Sequence, residues 1–238
     1  MKKLNIKVTI ITNILLCITI ISVFFVSFFP KSTLQTYGKD TISAIYNGNR
    51  KENNVSLMFN VYENTQVVND IIKVLDEKGV KATFFVGGCW ADDNASTLEN
   101  IIKSGHELGN HGYFHKDHKK LNYDANYQEI SNTANIVKAL CGVKLKLFAP
   151  PSGSFSSTTL KACYDLEYKL IMWSKDTIDW RDKNTSLIYN RATKNLEGGD
   201  LILMHPKSHT LQVLPSIIDY YLSVGFDVVT VSKNIENT

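Results

Sequence analysis

The chain has 238 residues, 44% of them apolar and 21% charged, enough for one large domain with a sizeable core. Its formal net charge of +3 arises from Lys2, Lys3 and Lys7, which precede an uncharged run; without them 23 basic residues face 23 acidic ones. That balance gives no support for nucleic-acid binding, and the absence of a glycine-rich nucleotide fingerprint or a G-x-S-x-G elbow disfavours dehydrogenase and serine-hydrolase chemistry.

Val8 to Phe29 carries no charge over 22 residues, which as a helix spans about 33 Å, enough to cross a bilayer core. The preceding lysines place residues 1–30 as a cytoplasmic stub and transmembrane anchor, with everything after Pro30 extracellular. The alternative is a cleaved signal peptide and a secreted product, but Ser27-Phe28-Phe29-Pro30 lacks a small-x-small cleavage pattern. Residues 31–54 are polar and aperiodic and read as a tether. From residue 55 to 238 the chain reads as the catalytic domain.

Within that domain β-type runs alternate with helical stripes. Strands are expected at Val55–Val61, Lys81–Val86, Glu107–Leu108, Leu145–Ala149, Leu170–Ser174, Leu201–Met204 and Val228–Val231. Between them, helices are expected at Gln66–Lys78, Leu98–Lys103, Asn126–Leu140, Ser157–Leu166, Leu187–Leu196 and Leu211–Ser223. Five of these helices run into a glycine just ahead of a strand, at Gly79, Gly105, Gly142, the Gly198-Gly199 pair and Gly225, as helix stops require. The alternation predicts an α/β fold with a parallel sheet of about seven strands, open or closed into a barrel. Ligands in either form bind at the carboxyl ends of the strands.

Those strand ends are rich in chemistry. Gly105 to His118 concentrates four of the six histidines, and His111 and His115, four apart, would aim two rings at one point if the segment is a helical turn. Neutral imidazole is a common zinc ligand, so a divalent metal, zinc foremost, is the first hypothesis. The other strand ends carry Asn60, Tyr62 and Glu63; Pro151, Ser152 and Gly153; Asp176, Asp179 and Trp180; and His205. Cys89, Cys141 and Cys163 are odd in number beyond the uncharged run, so at least one is unpaired in a monomer.

H-G-Y-F-H, D-T-I-D-W and L-I-L-M-H, together with K-A-T-F-F-V and G-H-E-L-G-N-H, resemble the motifs of the polysaccharide deacetylases, carbohydrate esterase family four, over about Val55 to Val231. The resemblance implies a distorted (β/α) barrel with fewer than eight strands and metal-dependent removal of N-acetyl groups from a polysaccharide such as peptidoglycan or an N-acetylglucosamine polymer. No protein partner is implied. It makes His111 and His115 metal ligands, His205 the general acid and Asp179 its support. Asp176 joins the catalytic rim, and Trp180, Tyr62, Tyr113, Pro151, Ser152 and Gly153 line the substrate groove.

Two motifs depart from the family. Asn60 stands at the place of the base aspartate and Val61 at that of the aspartate metal ligand, and neither can do the chemistry of a carboxylate. Ala149 replaces a usual arginine and Ser152 a frequent tyrosine. Either the site works with replacements, Glu63, Asn60, Asp117 or His118 completing the metal sphere or acting as base, or the groove persists as an inactive glycan-binding module. A third possibility is a structural envelope protein that has inherited the scaffold.

Overall fold

The computed structural model describes residues 12–21 and 42–236, which fall in two separate units divided after Thr41. In the first unit residues 12–21 form a helix, α1, with Ile14, Leu15, Leu16, Ile18, Ile20 and Ile21 exposed. No helix among the described residues is long and apolar enough to cross a membrane. The rest of the expected anchor, and residues 31–41 of the expected tether, lie outside the described residues.

The second unit is built on parallel strands: β1 (Asn54–Val61), β2 (Thr83–Val86), β3 (Glu107–Asn110), β4 (Leu147–Phe148), β5 (Lys169–Leu170), β6 (Lys175–Asp176), β7 (Leu201–Met204) and β8 (Asp227–Val228). Seven of them follow the order β5-β4-β3-β2-β1-β7-β6, and β8 pairs with the start of β1. The seven curl into a half-barrel, the distorted barrel expected. The helices are α2 (Thr65–Glu77), α3 (Gly88–Asp93), α4 (Ala95–Lys103), α5 (Tyr123–Cys141), α6 (Ser157–Asp165), α7 (Thr185–Thr193), α8 (Ser208–Ser223) and α9 (Val231–Asn234).

β1, which pairs with β2, β7 and β8, shows why the cleft forms where it does. Successive side chains on a strand point to opposite faces. Val55, Leu57, Phe59 and Val61 join the cluster that includes Val68, Ile71, Ile72 and Leu75 of α2. Met58, on the other face, joins the inner cluster with Phe85, Leu147, Ala149, Ile171 and Leu201. Each such fully buried apolar side chain contributes on the order of 2 kcal/mol. The same alternation carries Asn60 to the inner face, at the carboxyl end of the strand.

Caps fix several helix limits. Asn122 accepts from Ala125 N–H at 2.9 Å to start α5, and Gly142, at φ 74, ends it in the left-handed conformation that glycine adopts without strain. Ser156 and Thr159 form a reciprocal capping box on α6.

Four expectations need correction. The apolar run Leu170–Ser174 is not one strand: β5 pairs with β4 and β6 with β7, so the run crosses from one lip of the open half-barrel to the other. Of the strand expected at Val228–Val231, only the first residue pairs as β8; Val231 opens α9, capped by the Thr230 side chain. Helix α3 escapes periodicity because it is six residues long with little apolar pattern. Finally, residues 42–53 belong to the fold and not to a free tether. Ile45 bridges Ile171, its N–H donating to Leu170 O at 2.9 Å and its carbonyl accepting from Met172 at 2.8 Å. Gly48 donates to Gly199 O at 2.7 Å and Asn49 to Asn234 O at 2.9 Å, while Arg50 reaches Asp200 at 2.8 Å.

Candidate active site

A cleft of about 550 Å³ opens at the carboxyl ends of the strands, lined by residues that include Asn60, Tyr62, His111, His115, Trp180 and His205. His111 is buried and follows β3 directly. Its Nδ1 lies 2.7 Å from the Ala149 carbonyl. A carbonyl can only accept, so Nδ1 carries the proton and Nε2 is left with the lone pair. Burial, followed by the neighbouring His115, pushes the ring's pKa down to about 3, so it is neutral at neutral pH.

His115 reaches the same place by a different route from the helical turn expected. The segment is a loop in which Gly112 (φ 73) and His115 (φ 54) both take left-handed conformations; the rings meet at 5.1 Å between centroids. At Gly112 a Cβ would also stand 3.0 Å from His118 Nε2, so glycine is favoured on both counts. Glu129 on α5 holds the loop from behind, Oε2 accepting from Tyr113 N–H at 2.9 Å and Phe114 N–H at 2.8 Å. Asn110 Oδ1 accepts from Gly112 N–H at 2.9 Å.

Across the cleft, His205 follows β7. Its Nδ1 is 2.7 Å from Asp179 Oδ1, and the carboxylate fixes the proton there, leaving Nε2 for a ligand. Asp179 is buried and saturated: Oδ2 also accepts from the His205 backbone N–H at 2.7 Å and from Thr210 Oγ1 at 2.6 Å. His209 Nε2 donates to the Asp179 carbonyl at 2.8 Å. Asp176 lines the cleft and turns the chain by accepting from Ile178 N–H at 2.8 Å.

No carboxylate or further imidazole among the candidate replacements completes a metal sphere with His111 and His115. Among the described residues no group of three His, Cys, Asp or Glu could hold an ion. Glu63 is paired with Lys207. Asp117 accepts from Ser154 Oγ and pairs with Lys120 at 3.1 Å, which together hold its pKa below the usual carboxylate value. His118 is buried, its Nδ1 2.7 Å from Asn126 Oδ1. Asn60 is nearly buried, and its Oδ1 has no partner among the described residues; an arginine at position 149 would be the family's usual neighbour, and alanine cannot supply a donor. Val61 is fully buried in the helix-side apolar cluster. Two imidazoles therefore remain where a catalytic zinc takes three protein ligands, and the residues present do not fit a resident metal.

Of the expected groove residues, Tyr62, Ser152 and Trp180 line the cleft. Tyr113, Pro151 and Gly153 do not: Tyr113 packs on Gly88, Pro151 is buried, and Gly153 lies under the Trp173 ring. Trp173 and Lys207 line the cleft unforeseen. Trp173 ends the apolar run before β6, and Lys207 lies two residues past His205, so position relative to a strand end was the available signal.

A strand-end cleft in a parallel half-barrel, with two histidines facing a third that is clamped by a carboxylate, defines a carbohydrate-esterase type of protein. The polysaccharide deacetylase profile matches residues 47–171, and the chain belongs to that family. The peptidoglycan-N-acetylglucosamine deacetylase of Bacillus cereus is 31% identical over 202 residues, 81% of this chain and 72% of that protein. The uncharacterized protein YlxY of Bacillus subtilis is 34% identical over 194 residues, covering 82% of this chain and 61% of its own length. Among solved structures, BA3943 of Bacillus anthracis, described as a CE4 family pseudoenzyme, superposes with a TM-score of 0.80 at 31% identity, over 82% of this chain and 70% of that one. A mutant of it, described as having restored enzymatic activity, gives a TM-score of 0.80 at 30% identity, over 82% and 72%. The family is typically metal-dependent.

Proposed function

We propose that this chain is a glycan-binding member of the polysaccharide deacetylase family in which hydrolysis has been set aside. Its ligand is an N-acetylated cell-envelope polysaccharide such as peptidoglycan or an N-acetylglucosamine polymer. The observation that carries this reading is Val61: the third ligand position is an aliphatic side chain turned into the core, and no neighbouring carboxylate or imidazole takes its place among the described residues. Asn60, an amide at the base position, cannot accept a proton near neutral pH. The likeness to a protein described as a pseudoenzyme supports the same reading.

The cleft itself is intact. Trp180 is 54% exposed at its rim, with the Arg181 guanidinium 5.7 Å from its ring centroid, and is an aromatic side chain of the kind that stacks on sugar rings. Tyr62 and Trp173 add apolar wall, and the histidines and Asp176 supply polar contacts. The experiment is a titration with N-acetylglucosamine oligomers, run alongside an acetate-release assay supplied with zinc. Binding lost in Trp180→Ala, with acetate release appearing only in the Asn60→Asp/Val61→Asp double variant, is the expected result. Acetate release by the unaltered chain at a rate matching the double variant overturns it.

One observation favours a second reading, slow N-deacetylation. His205 keeps the geometry of a general acid, its Nδ1 proton held by Asp179 so that Nε2 can protonate a leaving amine. Under that reading the unaltered chain releases acetate slowly and His205→Ala abolishes the release. For location, the uncharged run of residues 8–29 supports an uncleaved anchor with the cleft outside the cell; recovery of the intact chain in the soluble fraction after cell breakage would count against it.

A further inference from the structure

A second groove adjoins the cleft and shares one wall with it. Its volume is about 460 Å³, and Asp176 lines both. Beyond Asp176 the groove runs along the last turn of α7, past Asn190, Arg191, Lys194 and Asn195. Its floor is fixed. Lys175 Nζ donates to the carbonyls of Lys194 at 2.8 Å and Asn195 at 2.9 Å, satisfying the acceptor of the α7 C-cap and the one that follows it. Arg191 donates to Thr177 O at 3.0 Å and pairs with Asp182 at 2.7 Å, tying α7 to the loop that carries Asp179 and Trp180.

The groups left over are the exposed side chains of Asn190, Asn195 and Lys194, which make no hydrogen bond or ion pair among the described residues. Two amides and an ammonium offer donors and acceptors together, a set suited to vicinal hydroxyls. Charge decides between ligand classes. Lys175, Arg191 and Lys194, with Arg50 and Arg181 behind them, face Asp176, Asp182, Asp200 and Glu197, with Lys175 3.6 Å from Asp200, so the cations are almost fully paired and the groove has little net field to draw a polyanion.

We infer that this groove is a second sugar subsite, taking the neighbouring, uncharged units of the polysaccharide whose N-acetylated unit sits in the cleft. The inference rests on the glycan-binding reading. Asp176 stands at the junction, one carboxylate oxygen committed to the Ile178 N–H and the other available to a hydroxyl on either side. The chain therefore discriminates by length, preferring a polymer long enough to occupy both sites.

The test compares N-acetylglucosamine oligomers of two and six units by calorimetry, with the full chain in detergent. The unaltered protein binds the hexamer about tenfold more tightly than the dimer, as one or two added hydrogen bonds allow. In Asn190→Ala/Asn195→Gly that advantage disappears while dimer binding stays unchanged; glycine at 195 keeps the left-handed backbone, φ 51, so the fold is not the variable. Equal affinity for both oligomers in the unaltered chain, or a double variant that keeps the length preference, overturns the subsite and leaves cleft binding standing. No binding of either oligomer overturns the subsite and the glycan-binding reading together.

Discussion

At the scale of single residues, Val61 and His106 show how burial decides what a position can do. Val61→Asp would place a carboxylate among apolar side chains, a cost of about 2 kcal/mol or more unless something pairs with it. The variant is expected to melt several degrees below the unaltered chain in chelator and to recover part of that loss in zinc, with His111 and His115 as co-ligands. A melting temperature indifferent to zinc would show that the valine position cannot reach the histidines. His106, remote from the cleft, is buried; its Nδ1 accepts from Ala82 N–H at 3.3 Å, and its Nε2 has no hydrogen-bond partner among the described residues, facing Asp76 Oδ1 at 3.8 Å. Burial, and next Lys81, push its pKa down to about 4. Between pH 6.5 and 4 the unfolded chain binds a proton there and the folded chain does not, so this group makes stability fall as pH falls through that window. His106→Gln is expected to flatten the pH dependence of the melting temperature between 4 and 6.5; an unchanged slope would assign that dependence to other groups. The histidines were legible as a cluster because imidazoles are scarce and these are crowded into one stretch. Their individual fates were not, since whether a ring meets a carbonyl, as His111 does, or an amide, as His118 does, depends on elements 8 to 38 residues away.

At the scale of elements, the loop from His111 to Lys116 is held by α5 more than by its own turns. Glu129 takes two of its backbone donors and pairs with Lys116 at 3.1 Å. In Glu129→Ala the amides of Tyr113 and Phe114 are expected to exchange with solvent on the order of tenfold faster, read by hydrogen exchange; unchanged protection would mean that the loop holds itself. The longer elements could be read directly because each sends an apolar face to one layer, as the α2 stripe does, and because glycine ends so many of the helices. The short ones could not. An apolar run such as Leu170 to Trp173 has the same pattern whether it pairs with one neighbour or is shared between two, and only the opening between β5 and β6 distinguishes the cases. Residues 42–53 were illegible for a related reason: backbone donors do the holding there, and backbone is the same at every position.

At the scale of the whole molecule, the half-barrel is finished by a segment that precedes it. A chain beginning at Ile42 is expected to keep the thermal stability of the second unit, whereas one beginning at Asn54 loses the bonds of Ile45, Gly48 and Asn49 and the Arg50 ion pair. That loss is worth about 2 to 4 kcal/mol, and equal unfolding midpoints in urea for the two would refute the assignment. The partners of this segment are residues 170 to 172, 199, 200 and 234, so almost every contact it makes spans more than half the chain. Contacts of that separation form late and slowly. During synthesis Gly48 and Asn49 emerge early and must wait for Gly199 and Asn234 before they can be bonded. A nascent chain can thus lay Ile45 on the outer β5 edge once residues 170 to 172 have emerged, but it cannot clamp the segment through Gly48 and Asn49 until Gly199 and Asn234 follow, an interval in which a strand from another molecule can compete for that edge.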